Sequence, residues 1–172
     1  MRFVKLAVES FQAIRRADLD FGPGLNVLYG PNDLGKSTLA RALRAALLVA
    51  PGAAEACEFA PWDADKTPSV ALTFTDDSER YWQVKKGFGH GPNAGGELSL
   101  SNDGRAFSLD SKGRQVEERL RALLRWGIPA PGGKGGLRGL PRTFLVHVLL
   151  AEQTDVDAIL AQSLADDPDG SG

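Results

Sequence analysis

Nine consecutive residues constrain this chain more than any others: Gly30, Pro31, Asn32, Asp33, Leu34, Gly35, Lys36, Ser37 and Thr38. The first eight fit the pattern G-x-x-x-x-G-K-[ST]. Residues 25–29 (LNVLY) stand immediately before it, a compact apolar run of the kind a buried strand presents. After it the hydrophobic period changes, and Leu39, Leu43, Ala46, Leu47 and Ala50 fall on one helical face. Pro51-Gly52 ends that helix. Strand, glycine loop and helix in that order predict an α/β chain with a P-loop.

The residue types have physical reasons. Glycines let the backbone turn tightly and approach a phosphate, and consecutive N–H groups then point inward at it. The helix opening near Lys36 adds roughly half a positive charge at the same place. In this pattern Lys36 reaches the β- and γ-phosphates of ATP, and the Ser37 hydroxyl ligates Mg²⁺. The bland alternative is a chance glycine-rich turn. The strand-like run before it and the amphipathic stretch after it weigh against that.

The rest of the chain fits around this unit. Segments 2–8 (RFVKLAV) and 14–21 (IRRADLDF) alternate as strands do, and Gly22-Pro23-Gly24 is a turn. Residues 53–68 read as a loop. Strand-like pieces at 69–75, 79–86, 96–101 and 105–109 are separated by turn residues at 76–78 and 102–104, which predicts an antiparallel β-meander. Residues 113–126 return to helical spacing with Val116, Leu120, Leu123 and Leu124 on one face. The Gly and Pro of 127–141 forbid a long helix or strand there. Residues 143–151 (TFLVHVLLA) form a second two-sided apolar run, and the polar tail 166–172 has the composition of disordered chain.

Composition removes several classes. With 172 residues the chain has room for one domain with a real core. Its one cysteine, Cys57, excludes an internal disulfide and a thiolate zinc cage. No apolar run approaches the ~20 residues of a membrane span. The opening MRFVKLAVESF lacks the features of a signal peptide, so a cytoplasmic protein without a membrane partner is expected. Net charge is −2, but unevenly spread: residues 105–142 carry nine Lys/Arg against three acids, and 151–172 carry six acids and no base. Arg121, Arg125, Lys134 and Arg138 flank the glycine-rich loop and are candidate contacts to DNA phosphates, with Arg121 and Arg125 placed on one face by helical spacing. A solvated face is the plainer account of the same residues.

The stretch from residue 1 to about 48 resembles the N-terminus of SMC-like ATPases, ABC-type heads that carry long coiled coils, and most nearly the double-strand-break-repair branch and its bacterial relatives. The matching features are RFVKLAV, ESFQAI, DLDFGPGLNVLYGPN and GKSTLARAL. A small P-loop kinase usually reaches its P-loop after a single strand, so residues 1–24 count against that class. The resemblance implies the N-terminal half of an ABC-type ATPase head, with a mixed sheet and the meander at one side. Residues 1–165 would form this lobe, and 166–172 a disordered tail or the start of a coiled coil. It also implies ATP and Mg²⁺ as cofactors, a second head as partner in a homodimer, the C-terminal half of the same head, and DNA.

A second match lies at residues 144–153 (FLVHVLLAEQ), which resemble the strand ending in the Q-loop glutamine. Gln153 would then help hold Mg²⁺ and the attacking water. The same run can be read as a Walker B strand ending at Glu152, although that motif normally presents Asp before Glu. An ABC transporter subunit is the alternative function, and the 117 residues separating Lys36 from Gln153 argue against it. A nucleotide-binding module without turnover is a third. The chain departs from the family at Gln12, where an arginine often follows the aromatic, and at Asp33-Leu34 inside the loop. It shows no L-S-G-G signature, Asp-Glu strand or switch histidine. The expectation is a segment of a larger head, inactive alone. His147, His90, Trp62, Trp82 and Trp126 are read as packing or surface residues.

Overall fold

A computed structural model describes residues 1–61, 66–90, 93–125, 127–129 and 137–139. By contact density the chain divides into two compact units, Met1–Leu120 and Arg121–Gly172. The first unit is built on a six-stranded sheet of β1 (Arg2–Phe11), β2 (Ile14–Asp20), β3 (Ser69–Thr75), β4 (Tyr81–Gly87), β5 (Gly95–Ser101) and β6 (Ser108–Lys112). Strand order is β2-β1-β3-β4-β5-β6, and every ladder is antiparallel. The expected meander is therefore present, with β3 where the alternation placed it. It continues directly into the N-terminal hairpin through the β1–β3 ladder. A mixed sheet is not found among the described residues.

Alternation along these strands separates the two faces. Leu6 and Val8 of β1, Val70, Leu72 and Phe74 of β3, Trp82 and Val84 of β4, and Leu98 of β5 are buried on one side. In register, Leu6 meets Leu72, Leu72 meets Val84, and Val84 meets Leu98, so one apolar row crosses four strands. The other face carries mainly polar and charged side chains such as Lys5, Gln83, Glu97 and Lys112. They pair laterally, Lys5 with Asp18 at 3.5 Å and Lys112 with Glu97 at 2.9 Å. Such exposed pairs are worth about 0–1 kcal/mol each, so apolar burial on the inner face carries the stability.

Helix α1 (Lys36–Leu48) packs on β1, β3 and β4. Its buried residues are Ala42, Ala45, Ala46 and Leu47, while Leu39 and Leu43 are half-buried and Ala50 is exposed beyond the helix end. The inward stripe is thus narrower and more alanine-rich than the periodicity suggests, because small side chains let the helix backbone approach the sheet. A short 3₁₀ turn, η1 (Ala54–Phe59), interrupts the segment expected to be loop. Its Phe59 stacks on Phe11 at 4.7 Å and meets Phe88 edge-on at 5.0 Å. This aromatic cluster closes the sheet end nearest the β1–β2 turn.

Helix α2 (Gln115–Leu123) buries Val116 and Leu120, with Leu123 half-buried. Its Arg119 bonds Asp110 at 3.2 Å and lies over the Trp82 ring at 5.5 Å. In the second unit, β7 (Gly127–Pro129) and β8 (Leu137–Gly139) form a two-stranded antiparallel ladder. Their three-residue lengths agree with the Gly and Pro content. No described helix is long and apolar enough to cross a membrane.

Candidate functional site: the phosphate loop

The loop joining residue 29 to α1 is shaped by three positive φ angles: Gly30 at 150°, Asp33 at 66° and Gly35 at 79°. Gly35 is the N-cap of α1, left-handed at φ 79°, ψ 18°. A side chain there would be strained by the backbone and would also crowd Ile14, whose Cγ1 lies 3.2 Å from where a Cβ would be. Leu39 N–H donates to the Gly35 carbonyl at 2.9 Å, the first turn of the helix. Among the described residues no side chain caps this N-terminus, so its first-turn N–H groups are suited to an outside acceptor.

Lys36 folds back over the loop. Its ammonium donates to the Gly30 carbonyl at 2.9 Å and to the Pro31 carbonyl. The lysine thus sits inside the loop it belongs to, its ammonium held by two loop carbonyls. Residues 30–34 and Ser37 are exposed, and Gly35, Lys36 and Thr38 are half-buried, so the loop is open to solvent. Ser37 and Thr38, in the first turn of α1, stand beside Lys36 with hydroxyls suited to a hard cation. The donor set fits a phosphate chain with Mg²⁺.

The β1–β2 turn is tied to η1, a link sequence reasoning missed. Ser10 and Gln12 take positive φ, 52° and 50°, on either side of the fully buried Phe11. Gln12 N–H donates to the Phe59 carbonyl at 3.0 Å, and its side-chain amide donates to the Glu58 carbonyl at 3.0 Å. Gln12 is therefore committed to η1. The phrase ESFQAI held a partial signal, since a hydrophobic residue between two polar ones at a strand end marks a turn whose apolar residue must be buried.

One local expectation is corrected. Residues 25–29 are not a buried strand: they join no ladder among the described residues, and Leu25, Val27, Leu28 and Tyr29 are 91%, 70%, 49% and 88% exposed. A run apolar on both faces is stabilised as a strand only with neighbours on both sides, and no described strand lies beside it. Asn26 instead ties the segment to the preceding turn, its side chain accepting from Gly22 N–H at 2.9 Å and donating to the Gly22 and Gly24 carbonyls.

Most of the remaining candidates cannot be placed against the loop. Gln153, Glu152, His147 and Lys134 lie outside the described residues, as do Trp62 and Trp126. Arg138 falls in β8. Arg121 and Arg125 are exposed. They do not share a helical face, because α2 ends at Leu123 and Arg125 is past it in the left-handed region, φ 55°. Asp76, outside the site, is held well by its turn. Burial raises its carboxyl pKa, but hydrogen bonds from Trp82, the Arg80 and Ser78 amides and the Arg80 guanidinium outweigh that and lower it.

Sheet, helix and loop define a P-loop NTPase. A model of the AAA domain family matches residues 5–120, more than half of the chain and nearly all of the first unit, and the chain belongs to that family. Among curated proteins it is similar to the DNA replication and repair protein RecF of Magnetococcus marinus, 46% identical over 43 residues. That stretch is 25% of this chain and 11% of RecF. Together these findings bear out the resemblance to the N-terminal half of an SMC-like, ABC-type ATPase head.

Proposed function

We propose that this chain binds ATP with Mg²⁺ as the nucleotide-binding segment of an SMC-like ATPase that acts on DNA in repair, maintenance or phage defence. The carrying observation is Lys36, turned into a glycine loop at an uncapped helix N-terminus. The similarity to RecF, a replication and repair protein by name, supports the DNA setting. On this reading the backbone of residues 30–36 cradles the phosphates, and Lys36 exchanges its two carbonyls for β- and γ-oxygens. Ser37 presents its hydroxyl to the cation, with Thr38 beside it. Mg²⁺ held there by Ser37 would supply neutralising charge for the group being transferred. Gln153 would position the attacking water. Hydrolysis would need the rest of the head and a second head closing over the nucleotide, most simply in a homodimer. A cytoplasmic location goes with this role.

The test is calorimetric titration of the chain with ATP and Mg²⁺. Lys36→Ala removes a charge-assisted contact worth about 1.5–3 kcal/mol, so affinity should fall about tenfold or more. Equal affinities for the two proteins would refute the assignment.

A further inference from the structure

Lys86 sits on the inner, helix-bearing side of β4 with its side chain fully enclosed, 0% exposed. Its ammonium donates to the Val49 carbonyl at 2.9 Å. Val49 is the residue that ends α1, the helix whose other end is the phosphate loop. The same nitrogen lies 2.7 Å from Oε1 of Glu117, in the first turn of α2. That oxygen is itself enclosed and makes no hydrogen bond, so the contact is a close ion pair of poor angular quality. One buried cation thus joins three elements: the end of the P-loop helix, a central strand and the start of α2.

Such a pair is an inefficient stabiliser. Removing two charges from water offsets most of their attraction, and apolar residues of similar volume often serve a core as well or better. What the pair supplies instead is position. The ammonium satisfies a carbonyl at the helix end that carries the negative pole of α1, and the carboxylate fixes α2 against the same point. At the opposite end of α1, Lys36 lies on the Gly30 and Pro31 carbonyls and must leave them to meet phosphate oxygens.

We infer that Lys86 is a positioning residue, a strut through which occupancy of the phosphate loop is felt at α2. Filling the loop releases Lys36 and resets the first turn of α1. The helix passes the adjustment along its axis to Val49, and Lys86 hands it to Glu117. The inference rests on the nucleotide reading above, and hydrogen exchange of the full chain with and without ATP and Mg²⁺ distinguishes the two. In the native sequence, nucleotide should slow exchange of the loop amides at 32–38 and also of the α2 amides at 116–119. The α2 effect should be about fivefold or more, the lower end of ordinary coupling between sites.

Replacing Lys86→Met together with Glu117→Leu exchanges the charges for apolar volume. This variant should keep its melting midpoint and the loop protection, and lose the α2 protection. Glu117→Gln, at a carboxylate whose side chain is 20% exposed, is the milder companion and should lose it too. Protection of α2 in both variants equal to that of the native sequence would overturn the strut. So would native protection confined to the loop and α1. Absence of any loop protection in the native chain would overturn the nucleotide reading and the strut with it.

Discussion

Gly35→Ala isolates what the phosphate loop demands of its backbone. Gly35 is left-handed at φ 79°, a region costing a residue with a Cβ about 1–2 kcal/mol. Alanine also restricts the unfolded chain, which returns about 0.4–1 kcal/mol. The new Cβ would stand 3.2 Å from Ile14 Cγ1, which must give by a few tenths of an ångström, and 3.5 Å from its Cδ1, an ordinary contact. The net cost should therefore be about 1 kcal/mol, or about 2–4 °C in melting midpoint for a chain of this size. Urea denaturation and calorimetry read it directly. Gly35→Asn, better tolerated in the left-handed region, should cost less despite its larger side chain. A Gly35→Ala protein as stable as the native one would refute the backbone argument, and Asn costlier than Ala would show that sterics rather than backbone conformation select glycine here.

Three further outcomes follow from the same structure. The depressed pKa of Asp76 means its carboxylate contributes stability above its ordinary value of 3.8 and loses that contribution as pH falls through the lower folded value; Asp76→Asn should therefore lose stability at neutral pH and flatten the acid limb, and identical unfolding midpoints from pH 7 to pH 3 would contradict this. If the basic segment contacts DNA, binding should weaken steeply with salt, and Gln at positions 121, 125, 134 and 138 should flatten that slope in a gel-shift series; an unchanged slope leaves the solvated-face account. Phosphate release by residues 1–172 alone should match a Lys36→Ala control, since the sequence offers Lys36, Ser37 and Gln153 but no signature motif to close over the nucleotide; turnover well above that control would make the run ending at Glu152 a working Walker B strand.

What was legible in the sequence was what local rules govern. The alternation of SVALTFT gave β3, and the glycines and Lys36 gave the loop and helix start, because period and turn chemistry act within a few residues. The strand expected at 105–109 instead occupies Ser108–Lys112. There Asp103 holds the chain in a turn by accepting from the Arg105 and Ala106 amides, which delays the strand. The apolar run at 25–29 was misjudged because its hydrophobicity states a need for neighbours without supplying them. Lys86 was invisible, since nothing local distinguishes a lysine that will be enclosed between two helices from the exposed Lys85 beside it. The brace between Gln12 and η1 joins residues more than forty positions apart and left only the faint trace of Phe11.

The unpaired segment before the loop has a bearing on handling. Leu25, Val27, Leu28 and Tyr29 present large side chains to water, and no ladder among the described residues occupies their backbone. Bare apolar backbone of this kind is a template for edge-to-edge association. Its solubility limit will be set by these few residues more than by its charge of −2, and crowded preparations will turn turbid before they unfold. Nucleotide, by organising the loop that follows at once, would be expected to act as a solubilising additive.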